Sequence, residues 1–322
     1  MSPDPNLPLE PTPSQPIADL SYRHFDGPLH NRTLRWWTIT LAMIRLTLRK
    51  PGFWILVALA MLPHLIRGFQ IYLQSQVPQA APDLTGASGS RFAPLFFQAF
   101  DGQKFFFFLI ALQAGAGTIA ADNRANALLV YLSKPITKGD YLLGKWMSVF
   151  LTLTAVALVP ALLLYLYCLL SYSSNGFLHR EPWLLVQLIG ASLVPGILHS
   201  SLIVGLSAWS KSPRMAGAAY AGLYLVSSIV AVTVWGIRYR GDLARGVLER
   251  HLSIDGVIGG LAQNCYQVTL KVPQFSRRSM EFQLTEIAIP DLWPLLLLGA
   301  TLTVLGLAAA RARIHAVEVV RG

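Results

Sequence analysis

The sequence predicts an all-α membrane protein with six transmembrane helices, an N-terminal amphipathic interfacial helix ahead of them and a small extracytoplasmic insertion before the last span. Three observations carry that expectation. Six apolar stretches each approach the roughly 20 residues needed to cross about 30 Å of hydrocarbon. Of the 322 residues, 53% are hydrophobic and only 13% charged, against about a quarter charged in a soluble domain; much of the surface is therefore matched to a solvent other than water. The Lys and Arg residues behind the net charge of +10 fall in short clusters between the apolar runs. Such clusters orient a chain in a membrane, and their distribution argues against a nucleic-acid partner.

Residues 1–30 read as a disordered, Pro-rich cytoplasmic tail: the first 21 positions hold six prolines and no Lys or Arg, too little apolar surface to order a chain. The tail also lacks the basic start and immediate apolar run of a signal peptide. Residues 31–50 differ. Leu34, Trp37, Leu41, Ile44 and Leu48 step by three and four beside a stripe holding Arg35, Arg45 and Arg49, the pattern of a helix lying in the headgroup layer. Pro51 ends it.

The spans are expected at about Phe53–Tyr72, Lys104–Ala121, Trp146–Leu170, Trp183–Trp209, Ala216–Ile237 and Trp293–Ala310, with Trp54, Tyr72, Trp146, Trp183, Trp209, Trp235 and Trp293 as interface anchors. The first five occupy 51–237. With both termini placed in the cytoplasm, inner segments carry fifteen Lys and Arg and short outer segments four, counting Arg67; the remaining seven lie in the long outer segment 238–292, which orients weakly. That balance supports an N-in, C-in multi-pass protein of a bacterial inner membrane, with the last span and a basic cytoplasmic tail at 293–322. Within the outer segment, Leu243, Val247, Leu248 and Leu252 have helical spacing, while Tyr266–Val272 and Met280–Ile289 alternate like two strands. An external cap and a loosely ordered loop both fit.

Nothing in the sequence has the form of a catalytic or metal site. Cys168 and Cys265 have no CxxC or Cys/His spacing. Gly139 to Lys145 matches most of a phosphate-cradling loop, but Trp146 stands where a magnesium-binding hydroxyl belongs and no strand precedes it. Asn31-Arg32-Thr33 is formally a glycosylation acceptor on the cytoplasmic side. Polar groups inside spans are functional candidates by default, which singles out His64, Arg67, Gln113 and His199 as pathway residues. Arg67 could equally snorkel to the interface.

The most informative stretch is the loop at 122–145, between the second and third spans. A membrane helix emerges at Asp122, a short helix displays Leu128, Tyr131 and Leu132, Lys134-Pro135 breaks it, and Thr137 with Asp140 forms a capping box for the next helix. An apolar-faced helix outside the membrane suits a partner's groove. At Asp122, Arg124, Leu128, Leu132, Pro135, Ile136, Tyr141, Leu142, Gly144 and Lys145 the chain resembles the type-2 ABC permease family, departing at Asn126 where many members have Gly. The amphipathic helix and six-span layout extend the resemblance over most of the chain; segment 238–291 lies outside it.

The resemblance implies a permease subunit of an ABC exporter, without its own nucleotide site. A separate ABC ATPase dimer would bind ATP and magnesium, no cofactor being expected in this chain, and a second permease copy or paralogue would complete the pathway among membrane lipids. ATPase coupling would fall to Asp122, Arg124, Leu128, Tyr131, Leu132, Pro135, Tyr141 and Lys145. Gly115 and Gly117, Ala218 and Gly222, and Gly299 and Gly306 offer small faces for packing, and Pro63, Pro160 and Pro195 kinks, although any membrane bundle carries such residues. The few polar groups on the pathway favour a hydrophobic or amphipathic cargo. Alternatives are a non-transporting component that transmits ATPase motion to an extracytoplasmic partner, or an ion-coupled secondary transporter. The latter needs paired mid-membrane charges and repeated halves, of which the sequence gives no convincing example. An intramembrane enzyme lacks a clustered constellation.

Overall fold

The computed structural model describes residues 35–76, 92–125, 127, 136–173, 177–239, 246–276 and 281–314. The expected Pro-rich tail and the centre of the 122–145 loop, including Leu128, Tyr131, Leu132 and Pro135, lie outside the described residues. Six helices are long and apolar enough to cross a membrane, as expected: Pro51–Gln76, Ala93–Gly115 continued by Ala120–Arg124, Lys138–Tyr172, Leu184–Trp209, Pro213–Tyr239 and Leu292–Arg313. The protein is an all-α, multi-pass membrane protein. Alternate span ends define a loop end, where the second span leads toward the third, and a cap end, where residues 246–276 and 281–291 lie.

The amphipathic helix is Arg35–Leu48, and Pro51 begins the first span at the position where its missing N–H is harmless. The third span starts at Lys138, where the expected capping box forms: Thr137 Oγ1 accepts from Asp140 N and Asp140 Oδ2 accepts from Thr137 N, each at 3.1 Å. Trp146 therefore lies two turns inside the helix, and its indole donates to Ser201 Oγ at 2.9 Å. The phosphate-loop-like Gly139–Lys145 stretch is helix, not a loop.

The second span differs most from expectation, beginning at Ala93 instead of Lys104. Asp101, Gln103 and Lys104 look like a loop in the sequence. Gln103 and Lys104 are accommodated inside the protein, Lys104 Nζ by Asp101 at 2.8 Å and Asp255 at 3.0 Å and Gln103 Nε2 by Val156 O at 2.9 Å, while Asp101 itself stays exposed.

Burial separates centre from rim. In the fourth span 72% of the hydrophobic window is buried, against 17% in the first and sixth and 22% in the fifth. The fourth span packs on the second, third, fifth and sixth. Its seam with the sixth is set by glycines: a Cβ on Gly205 would stand 2.6 Å from Gly306 O, and one on Gly306 would collide with Ser201 O. Backbones meet there with no side chain between them. Gly222 has nothing within 4 Å of where a Cβ would lie and faces outward.

Residues 246–276 and 281–291 hold regular elements. Helices Val247–Arg250 and Ile254–Tyr266 are followed by antiparallel strands Leu270–Ser276 and Glu281–Ile287, registered from Leu270↔Ile287 to Ser276↔Glu281. Tyr266, expected in the first strand, ends the cap helix Ile254–Tyr266 instead. That helix packs on the second, fourth, fifth and sixth spans with Ile254, Val257, Ile258, Leu261, Ala262 and Tyr266 buried. Ser253 caps it by accepting from Gly256 N at 2.8 Å.

Candidate coupling site and transport cavity

At the loop end the second span breaks after Gly115 and resumes at Ala120. In hydrocarbon no water satisfies the freed backbone groups, so neighbours must. Ser207 of the fourth span does most of this. Its Oγ accepts from Ile119 N and Ala120 N at 3.0 and 2.9 Å and donates to Ala116 O at 2.9 Å. Asn123 Nδ2 donates to Ala208 O at 3.0 Å, fastening the resumed turn to the end of the fourth span.

That fastening aims Asp122 at the third span. Asp122 Oδ2 accepts from Tyr141 Oη at 2.6 Å and pairs with Lys145 Nζ at 2.8 Å. Tyr141 and Lys145 are one helical turn apart, so one face of the third span supplies both partners. The Lys145 side chain is 2% exposed; a charge so far from water is tolerable only when paired and hydrogen-bonded. Its Nζ also lies 3.5 Å from Met43 Sδ of the amphipathic helix.

Between those two residues Gly144 receives the amphipathic helix. A Cβ there would stand 2.7 Å from Trp36 O and 2.8 Å from Ile39 Cβ, and Thr40 Oγ1 donates to Gly144 O at 3.1 Å. The matched Tyr-Leu-Leu-Gly-Lys stretch thus has a geometric content: Tyr141 and Lys145 clamp the end of the second span, and Gly144 seats the helix that precedes the first.

Beside this node lies a cavity of about 1110 Å³ walled by the amphipathic helix and the first, second and fifth spans, with Lys145 of the third span at its edge. Its lining is mostly apolar (Leu56, Leu109 and Leu112 among it), with Lys50, Gln113, Asp122, Lys145 and Arg214 as the polar members. Gln113 is the one of the four candidate pathway residues placed there. His64 is buried and lines a separate apolar cavity of about 340 Å³ between the first and third spans. Arg67 Nη1 donates to Gln70 Oε1 at 2.6 Å on its own helix. His199 sits in the centre of the bundle against Tyr220 Oη.

At the cap end a second polar cluster closes the bundle. Lys104, besides its ion pairs to Asp101 and Asp255, fills the space that Gly259 leaves, a Cβ there coming within 2.9 Å of Nζ. Tyr224 Oη of the fifth span donates to Asp255 Oδ1 at 3.1 Å. His251, packed against Gly256 and Gly260, has its pKa held below the usual value, chiefly by burial. Sequence reasoning missed Lys50, Arg214 and this cluster. The available signal was Asp101 and Lys104 at i, i+3 beside an apolar run; their partner Asp255 had no local signature.

The family model of ABC-2 family transporter proteins matches residues 37–239, which covers the amphipathic helix and the first five spans. The chain belongs to the ABC-2 transporter family. It is accordingly a membrane permease component of an ABC transporter, a class that works with an ABC ATPase subunit and is generally not itself catalytic. Among curated proteins none matches the chain.

Proposed function

We propose that this permease forms the transmembrane pathway of an exporter and couples it to ATP hydrolysis by a separate ATPase through residues 122–145, with both termini cytoplasmic in a bacterial inner membrane. The carrying observation is the Asp122–Tyr141–Lys145 node. It lies at both flanks of the matched loop and ties the second span, the third span and the amphipathic helix together, so a push on the loop reaches three elements at once. The weakly buried first and fifth spans beside the cavity suit a second permease copy or paralogue. In this reading Leu128, Tyr131 and Leu132 fill an ATPase groove and Arg124 helps set its orientation.

The test is to express Leu128→Asp with the partner ATPase, match membrane levels, and measure ATPase recovery and ligand-stimulated hydrolysis. An unpaired charge in a docking groove loses its water, so recovery should fall many-fold. Normal recovery and coupling would remove the loop from the interface.

A second reading, a non-transporting component that transmits ATPase motion to an extracytoplasmic partner, draws on the cap helix, which touches four spans and would move with them. Deleting the strand pair 270–287 separates the two: a transporter retains ligand-stimulated hydrolysis, and a transmitter loses its partner's response.

A further inference from the structure

The large loop-end cavity has an uneven polarity. Leu56, Leu109 and Leu112 make its walls apolar, while Lys50, Lys145 and Arg214 bring three cations to it against one acid, Asp122. Asp122 is already held by Lys145 and Tyr141, leaving it no charge to offer a ligand. Lys50 Nζ reaches a backbone oxygen, Gln113 O, at 3.5 Å, and neither Lys50 nor Arg214 forms an ion pair among the described residues. Arg214 stands in the first turn of the fifth span, which opens at Pro213.

We propose that this cavity binds an anionic amphiphile, its apolar tail along the leucine walls and its acid group between Lys50 and Arg214. The inference rests on the cavity being the transport pathway and names the class of molecule that enters it. A cation would meet two uncompensated positive groups. A sugar polymer would leave its hydroxyls facing leucine walls without partners. A cation that only orients the chain needs no cavity beside it, and exposed Lys211, outside the lining, supplies the control. A bilayer phospholipid and a free single-chain acid share the chemistry that fits.

The experiment uses the full chain, without ATPase, in phosphatidylcholine nanodiscs. The probes are hexadecanoic acid with a mid-chain diazirine and the matching hexadecyltrimethylammonium. Photolabelling of peptides spanning 109–121 and 213–221, relative to the lipid-facing Leu65 region, is read by mass spectrometry. The acid should label the cavity about tenfold better than the ammonium, the scale of a charge-assisted hydrogen bond. Lys50→Gln with Arg214→Gln should erase that preference and Lys211→Gln should leave it. Gly217→Leu, where a Cβ meets only Leu112 Cδ1 at 3.5 Å and Ala116 Cβ at 3.7 Å, should reduce cavity labelling by the acid. Competition by phosphatidylglycerol assigns the ligand to the bilayer, and competition by single-chain acids alone assigns it to a free amphiphile; both support the proposal. Equal labelling by the two probes, or a preference that survives the double variant, overturns it. Because no ATPase is present, failure of Leu128→Asp to uncouple leaves this result standing, and the converse also holds.

Discussion

Each end of the bundle is closed by a Lys–Asp pair with a tyrosine on the same carboxylate, yet the two are built differently. At the loop end Lys145 is 2% exposed and ion-paired with Asp122, which accepts from Tyr141. At the cap end Lys104 is 15% exposed and shares two acids, Asp101 at 47% exposure and Asp255 at 29%, with Tyr224 on Asp255. The first is a dry joint between consecutive spans; the second is a wetter joint fastening an inserted helix. Loss of a partner should therefore be severe at the loop end and graded at the cap end, because buried charges cannot fall back on water and half-exposed ones can.

The sharpest way to break this comparison is Asp122→Ala, which removes the carboxylate paired with the buried Lys145 ammonium. We expect a loss of about 3–5 kcal/mol, seen as a large drop in the temperature at which half the purified chain leaves solution. The double variant Asp122→Leu with Lys145→Met should recover most of it; no recovery would mean that the pair holds geometry beyond its charge. Next in size is Gly144→Ala, whose Cβ would press on Trp36 O and Ile39 Cβ. Overpacking at that seat should cost about 1–3 kcal/mol and make the amphipathic helix more protease-sensitive, leaving the cap end unchanged.

A smaller effect is expected at the cap end. Asp255→Asn removes one of Lys104's two ion pairs while Asp101 stays, so the loss should be about 1 kcal/mol, or roughly fivefold faster amide exchange confined to Ile254–Tyr266. An effect as large as that of Asp122→Ala would show the two joints to be equivalent. Last, a change with no stability cost assigns the ends to sides. A cysteine at Ser276 should react with a membrane-impermeant reagent in intact spheroplasts, and one at Ser212 should not. The opposite pattern would invert the topology and move the proposed coupling site outside the cell.

Much of this protein is decided locally and was legible in its sequence. Span number follows from apolar length, the helix before Pro51 from its periodicity, and the start of the third span from Thr137 and Asp140, because each depends on neighbours a few residues away. Tertiary structure alone decided that Lys104 lies within a span, since its neutralising partner Asp255 is distant in the chain. It likewise decided that Trp146 turns inward to Ser201, that Gln113 rather than His64 or His199 lines the large cavity, and that Gly205 and Gly306 form the tightest backbone seam. In each case the side chain's role depends on what a remote element places opposite it. Periodicity specifies which face a helix buries; only packing brings a particular partner there.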